Sequence, residues 1–291
     1  MSRVNEVVSE IMVTGRALYQ FFRNKYGPYA EKLLALPNDS LEKTLSVALA
    51  LCVVCAILVS GSAVALKSIQ QDNKERDIKK NILSVVGLMQ EGVDIDQAFS
   101  RIEQKIVNLE SGEYDETIDP TTYNQRKAAK DPAMNLKIAK GDDIAGIHKR
   151  ARLAKVYLLR NGDRIEKIVL PVHGYGLWST LYGFLALEGD GQTVVGINFY
   201  DQAETPGLGG EVVNPRWRAL WPGKKIYDES GSSVIGLVKG VVDRSRPGSE
   251  YKVDGLAGAT LTSNGVTNLV RYWTGKQGFS LYLQKIRNQR G

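Results

Sequence analysis

Residues 45 to 66 read LSVALALCVVCAILVSGSAVAL, a run with no charge and no proline. At about 1.5 Å per residue a helix of that length reaches about 30 Å, the thickness of a bilayer's hydrocarbon core. Lys43 and Lys67 bracket the run as interfacial anchors, and the segment from Lys67 to Lys80 is strongly polar. Length and polarity contrast together predict a membrane-spanning helix rather than a buried core helix. The run starts after 44 residues rather than after a short basic leader, and it is longer than the apolar stretch of a signal peptide. It therefore reads as an uncleaved anchor.

The rest of the chain is organised around that anchor. Residues 1 to 44 form an N-terminal arm in which Val4, Val8, Ile11, Leu18 and Phe22 recur at roughly helical spacing, which suits an amphipathic helix on a membrane or partner surface. Residues 67 to 110 read as a helical stalk, broken near Gly92, and residues 111 to 291 as the globular domain. Turn formers (Gly112, Pro120, Pro132, Gly141) dominate up to Lys149. From about Ala154 strands take over. Residues 155 to 159 and 165 to 170 flank Asn161-Gly162-Asp163, a hairpin signal. Residues 177 to 187, 194 to 200 and 234 to 242 read as further strands. Asn214-Pro215 caps a short helix, and residues 264 to 273 and 279 to 286 look helical. The expected class is α+β, a mostly antiparallel sheet with flanking helices. No GxGxxG or Walker loop occurs.

Charge excludes one class of function. The 38 basic residues are dispersed among 32 acidic ones for a net +6, without the dense Lys/Arg stripe that nucleic-acid binding requires. Anionic lipid headgroups are a better match for a mildly basic membrane protein. Orientation is not legible from charge: Lys67, Lys74, Arg76, Lys79 and Lys80 after the span outnumber Lys25, Lys32 and Lys43 before it, yet long domains translocate largely regardless of such counts. Both cysteines, Cys52 and Cys55, lie in the span on one helix face. They read as small packing residues, or as half of a metal site completed by another subunit. The globular part has no cysteine and hence no disulfide.

Two segments carry chemistry. Residues 253 to 266, Val-Asp-Gly-Leu-Ala-Gly-Ala-Thr-Leu-Thr-Ser-Asn-Gly-Val, crowd small residues against the hydroxyls of Thr260, Thr262 and Ser263 just before a helix. Small side chains allow close backbone approach, and a helix start offers free N–H groups and a positive dipole end to a phosphate. The same letters also describe a Gly-rich turn capped by Thr262 or Ser263, the reading that composition alone favours. The second segment, Glu204-Thr205-Pro206-Gly207-Leu208-Gly209, joins a carboxylate to a rigid Pro-Gly turn and flexible glycines; alone it reads as a surface loop. His148 and His173 do not form a metal site between them and read as structural. No Ser-His-Asp or paired-carboxylate arrangement stands out, so neither catalytic nor metal residues are expected.

Together these segments resemble the FMN-binding domain family. Asp254-Gly255-Leu256-Ala257-Gly258-Ala259-Thr260-Leu261-Thr262-Ser263 looks like its flavinylation motif, and residues 204 to 209 like its companion flavin loop. More narrowly, Asn38-Asp39-Ser40, the run Tyr123-Asn124-Gln125-Arg126-Lys127-Ala128-Ala129-Lys130-Asp131-Pro132 and the run from Leu170 to Trp178 resemble the C-subunit family of sodium-translocating NADH:quinone reductases, from about Asn38 to the C-terminus. The resemblance implies FMN joined through its phosphate to the hydroxyl of Thr260, attached by a separate flavin transferase. It implies flavin contacts from Glu204, Thr205, Gly207, Leu208, Asp254, Gly258, Ala259, Leu261 and Thr262, with the Glu204 carboxylate facing the isoalloxazine. Trp178 and Lys239 are further candidates, for the ring and for flavin or phosphate charge. One departure is Ala257, where the family commonly carries Ser or Thr.

By resemblance, the chain is the FMN-carrying electron-transfer subunit of an enzyme complex that oxidises NADH, reduces ubiquinone and pumps Na+. It has no NADH or quinone site of its own. Its partners are the other subunits and the bilayer of a bacterial inner membrane, with the N-terminal arm cytoplasmic and the domain periplasmic. The alternatives are an FMN carrier of the Rnf-type electron-transport complex and a membrane-anchored flavin sensor or regulatory module.

Overall fold

The computed structural model describes residue 20, residues 23 to 33 and residues 35 to 289. The five apolar positions that suggest an amphipathic arm lie outside those residues. Two compact units divide the chain, Met1–Asp72 and Asn73–Gly291.

The first unit contains the helix Leu41–Ala65, the one helix among the described residues long and apolar enough to cross a membrane. It begins four residues before the apolar run, after Pro37 and Asn38 break the chain. Lys43 Nζ donates to Leu36 O at 2.9 Å and to Asn38 Oδ1 at 2.8 Å, which ties that turn to the helix start. No residue of the helix is buried within the protein, so its apolar side chains all await lipid or partner. Ser60 and Ser62 donate their hydroxyls to the carbonyls of Ala56 and Leu58 one turn back, so neither of these two hydroxyls needs an acceptor from an apolar medium. Cys52 and Cys55 are exposed on its surface.

The second unit is built on strands β1 (Ile102–Asn108), β2 (Asn135–Lys137), β3 (Lys149–Ala151), β4 (Leu153–Asn161), β5 (Arg164–Tyr175), β6 (Thr180–Glu188), β7 (Val194–Asp201), β8 (Gly236–Leu237) and β9 (Lys252–Val253). Five of them form an antiparallel sheet in the order β1-β4-β5-β6-β7. Side chains alternate between its faces. One face sends Val156, Leu158, Ile168, Leu170, Val172, Leu181 and Leu185 into the main core, which also holds Leu269, Val270 and Trp273 of the helix Thr260–Thr274 and Leu283 and Ile286 of the helix Ser280–Asn288. The other face sends Tyr157, Leu159, Val169, Phe184 and Ala186 against Ile82, Leu83 and Val85 from the end of the helix Lys67–Val85. Both faces are covered, which is why β4 to β6 read as apolar runs rather than clean alternation.

The α+β class and the antiparallel sheet match the sequence reading, and so does the β4–β5 hairpin at Asn161-Gly162-Asp163, where Gly162 takes φ 59°. Three local expectations change. The helical pattern expected up to Leu109 stops at Val85; after a five-residue helix, Ile95–Phe99, capped by Asp94, the chain forms β1. The spacing of Ile102 and Ile106 suits a helix face as well as a strand, and pairing with β4 decides between them. The strand expected over residues 234 to 242 shrinks to β8, because its backbone groups bond side chains of the helix Thr260–Thr274: Leu237 N–H donates to Thr267 Oγ1 at 2.9 Å, and the carbonyls of Val234 and Ile235 accept from Arg271. The strand expected from Leu177 starts at Thr180, because residues 176 to 179 turn around a buried carboxylate.

Candidate functional site

The segment Asp254 to Thr260 is fixed by straps on both sides. Val238 N–H donates to Val253 O and Gly255 N–H to Gly240 O, both at 2.9 Å. Asp254 Oδ1 accepts from Val242 N–H at 2.9 Å, and its carbonyl accepts from Trp217 Nε1 at 3.0 Å. Asp254 is thus a clamp that holds the exposed turn of Lys239 and Gly240 beside the motif. A Cβ on Gly255 would overlap the carbonyl oxygen of Val238, so only glycine permits this approach. Gly258, at φ 69°, brings Leu208 over the helix start: a Cβ there would lie 2.9 Å from Leu208 Cδ2. The N-cap of the helix Thr260–Thr274 is Ala259, which offers no side-chain acceptor. The first N–H groups of a helix have no carbonyl one turn below to bond, so those of Thr260, Leu261 and Thr262 stand at the positive end of the dipole.

The three hydroxyls of the motif have different fates. Thr260 is exposed at the first helical position. Thr262 is 1% exposed and donates to Glu204 Oε2 at 2.7 Å. Ser263 is buried, and its Oγ accepts from Leu256 N–H at 3.0 Å, closing the loop onto the helix. The capping expected of Thr262 or Ser263 is therefore absent: one hydroxyl faces a carboxylate and the other an upstream N–H. Ala257 is exposed, so the departure from the family pattern falls on the open side.

Glu204 is the centre of the site but not in the way the sequence suggests. It is 4% exposed. Its oxygens accept from the N–H groups of Leu177 (3.1 Å), Trp178 (3.0 Å) and Ser179 (3.1 Å), from Ser179 Oγ (3.3 Å) and from Thr262 Oγ1. Burial by itself would raise its pKa; the Thr262 hydroxyl and the three N–H groups outweigh that and hold the carboxyl below the usual glutamate value. The expectation that this carboxylate faces the isoalloxazine gives way to an inward-pointing charge saturated with donors. What residue 204 presents outward is the loop it anchors, in which Thr205, Pro206, Gly207 and Leu208 are exposed.

Three glycines make room for these contacts. A Cβ on Gly176 would lie 2.7 Å from Glu204 Oε1, one on Gly209 2.5 Å from Thr262 Oγ1, and one on Gly265 2.5 Å from the carbonyl oxygen of Tyr175. Gly265→Ala tests this packing cleanly, because alanine in a helix interior is intrinsically favoured by roughly 0.5–1 kcal/mol. The contact should reverse that sign and lower stability by about 1–3 kcal/mol. Thermal unfolding reads the outcome; a more stable variant would mean that the helix and β5 are not in backbone contact.

Around Thr260 several large apolar side chains are exposed. Trp178 is 68% and Leu261 59% exposed, and Leu208 and Tyr175 are also exposed. Beside them a shallow cavity of about 290 Å³ is lined by Ile144, Tyr175, Leu177, Leu261 and Asn264 among others. Hydrogen bonds join Trp178 and Thr262 to Glu204, and Leu208 lies against Gly258, with Ala259, Thr260 and Leu261 at the same helix start and Asp254 and Lys239 joined through the straps. Sequence reading missed Tyr175 and Ile144. Tyr175 is legible in the Gly174-Tyr175-Gly176 run; Ile144 comes from a loop that no local pattern connects to the site. His173 is structural, stacked on Tyr182 at 5.2 Å between ring centroids and tilted against Trp273 at 4.9 Å. His148 pairs through Nδ1 with Asp143 Oδ2 at 3.1 Å. No group of His, Cys, Asp and Glu suited to a metal occurs among the described residues.

An FMN-binding domain family matches residues 176 to 275, a stretch that contains both the Glu204 loop and the helix start. The C subunit of the Na(+)-translocating NADH-quinone reductase of Pseudomonas aeruginosa is 48% identical over 254 residues, 86% of this chain and 97% of that protein. Its counterpart from Yersinia pestis is 46% identical over 255 residues, 86% of this chain and 94% of that one. The crystal structure of Shewanella oneidensis NqrC superposes with a TM-score of 0.68 at 32% identity, covering 74% of this chain and 99% of that chain. Identity near one half, sustained over almost the full length of these relatives, leaves one assignment: the chain belongs to the C-subunit family, NqrC, of Na(+)-translocating NADH-quinone reductases.

Proposed function

We propose that this chain is the flavin-carrying electron-transfer subunit of an inner-membrane complex that oxidises NADH, reduces ubiquinone and moves Na+, and that it holds FMN by a phosphoester to Thr260. The single observation that carries the attachment reading is the fate of the hydroxyls: Thr260 is exposed at an uncapped helix start, whereas Thr262 and Ser263 are buried and engaged. The residues present fit the group. First-turn N–H groups and the helix dipole face a phosphate, Gly258 admits close approach, and the exposed faces of Trp178, Leu208 and Leu261 suit a planar apolar ring. FMN supplies the redox chemistry when bound; the chain fixes its position and surroundings. Because Glu204 spends its charge inside the protein, the groups that meet the ring are apolar.

The strong similarity to NqrC proteins along nearly their whole length selects this reading over an Rnf-type carrier or a flavin sensor. Partners follow from it: the other subunits of the complex, a flavin transferase for maturation, and the lipid around the helix Leu41–Ala65. Affinity purification through a tag on this chain should recover NADH:ubiquinone reductase activity from solubilised membranes. A pure, inactive chain without partner subunits would favour the sensor.

The domain after Lys67 is periplasmic and the N-terminal arm cytoplasmic. This reading rests on family membership, since the local charge count leans the other way. Fusions after Lys80 and at the C-terminus should be active as alkaline phosphatase and dark as green fluorescent protein; the reverse pattern would sink the orientation.

A further inference from the structure

The donors around Glu204 come from two separate pieces of the fold. The N–H groups of Leu177, Trp178 and Ser179 belong to the turn between β5 and β6, and one of them is the backbone of the most exposed tryptophan at the site. Thr262 belongs to the helix start, two residues after Thr260. The loop itself is stitched on the same side: Ala203 N–H donates to Ser179 Oγ at 2.8 Å, and Glu204 N–H to Gln202 Oε1 at 2.6 Å. A Cβ on Gly176, Gly209 or Gly265 would push these pieces apart. One buried carboxylate therefore joins the turn that presents the indole to the helix that presents Thr260. Hydrogen bonds to an ionised acceptor are the stronger kind, and several converging on one group leave little freedom to either side.

We propose that Glu204 is the positioning residue of the flavin site: its buried carboxylate holds the Trp178 turn and the Thr260 helix at one fixed separation, so that a planar ring attached at Thr260 is kept against the indole. This rests on the attachment reading above. Glutamine at position 204 has the same shape but no charge: its NH2 can face the Thr262 hydroxyl only with that hydroxyl accepting instead of donating, Leu177 N–H loses its second oxygen, and the remaining N–H groups keep only a neutral acceptor. Valine at position 262 removes the hydroxyl from the other side, and serine restores it.

The test uses the full-length chain in detergent, made with and without a co-expressed flavin transferase. Without the transferase, hydrogen exchange of the backbone amides of residues 177 to 179 should be at least tenfold faster in Glu204→Gln than in wild type. With it, Glu204→Gln and Thr262→Val should keep the FMN adduct at wild-type stoichiometry, yet flavin emission should rise at least twofold as contact quenching by the indole is lost. Trp178→Phe should reach the same level, the double variant Trp178→Phe with Glu204→Gln should go no higher, and Thr262→Ser should emit like wild type. Wild-type emission in Glu204→Gln, or a rise that adds to that of Trp178→Phe, overturns the proposal. So does loss of the adduct in Glu204→Gln, since the carboxylate would then act in attachment instead. If Thr260→Ala retains an adduct, the attachment reading fails, while the exchange measurement still judges the lock itself.

Discussion

Thr260→Ala is expected to carry no covalent flavin, with in-gel fluorescence at least a hundredfold below wild type, while melting like the wild-type chain. The hydroxyl it removes is exposed and supports no described hydrogen bond of the fold, so stability should change by less than about 0.5 kcal/mol. Thr260→Ser keeps an acceptor oxygen at the same helix position and should retain the adduct. The contrast with the neighbouring residues gives the prediction its force. Thr262→Ala strips a donor from a buried carboxylate and should destabilise the domain by about 1–3 kcal/mol, yet leave the acceptor in place. One substitution abolishes attachment without touching the fold, and the other loosens the fold while attachment persists.

The second large effect is a loss of stability in mild acid. His173 is packed against Tyr182 and Trp273, and burial, with the Arg126 guanidinium nearby, pushes its pKa down to about 4 from 6.5. The unfolded chain takes up the proton near pH 6.5 and the folded chain only near 4. The folded state is therefore favoured in full above pH 6.5, and that advantage drains away as pH falls toward 4. A gap of this size is worth about 3 kcal/mol. Glu204, held below its usual value, is protonated in the unfolded chain only below about 4.5, so the interval above that belongs to the histidine. Denaturant midpoints of the full chain in detergent should fall between pH 6.5 and 4.5, and His173→Gln should flatten that slope. A wild-type midpoint independent of pH over this interval would show that His173 is solvated.

What the sequence made legible follows from how local each signal is. The long apolar helix needs only length and polarity, and the β4–β5 hairpin only Asn161-Gly162-Asp163 between apolar runs; both elements are in the structure as expected. β1 was not legible, because Ile102 and Ile106 fit either period and the deciding partner, β4, lies some fifty residues on. At the site, the motif and the loop were visible as letters, but their relation was not. Nothing local says that the Glu204 carboxylate turns inward to collect donors from residues 177 to 179 and 262. Nor does it say that Asp254 spends its carboxylate on Val242 N–H. Residues that look like ligands by type are here the fasteners of the site. The exposed Thr260, Trp178, Leu208 and Leu261 are what it offers outward.

That division is open to one direct measurement, made on the protein as the cell produces it. The chain is purified with its complex from native membranes, digested, and the fluorescent peptide fragmented by mass spectrometry under conditions that preserve phosphoesters. The account predicts a single flavin-bearing peptide from this chain, with the FMN phosphoryl group on Thr260 alone. FMN localised to Thr262 or Ser263, or a complex in which this chain yields no flavin peptide, would contradict it.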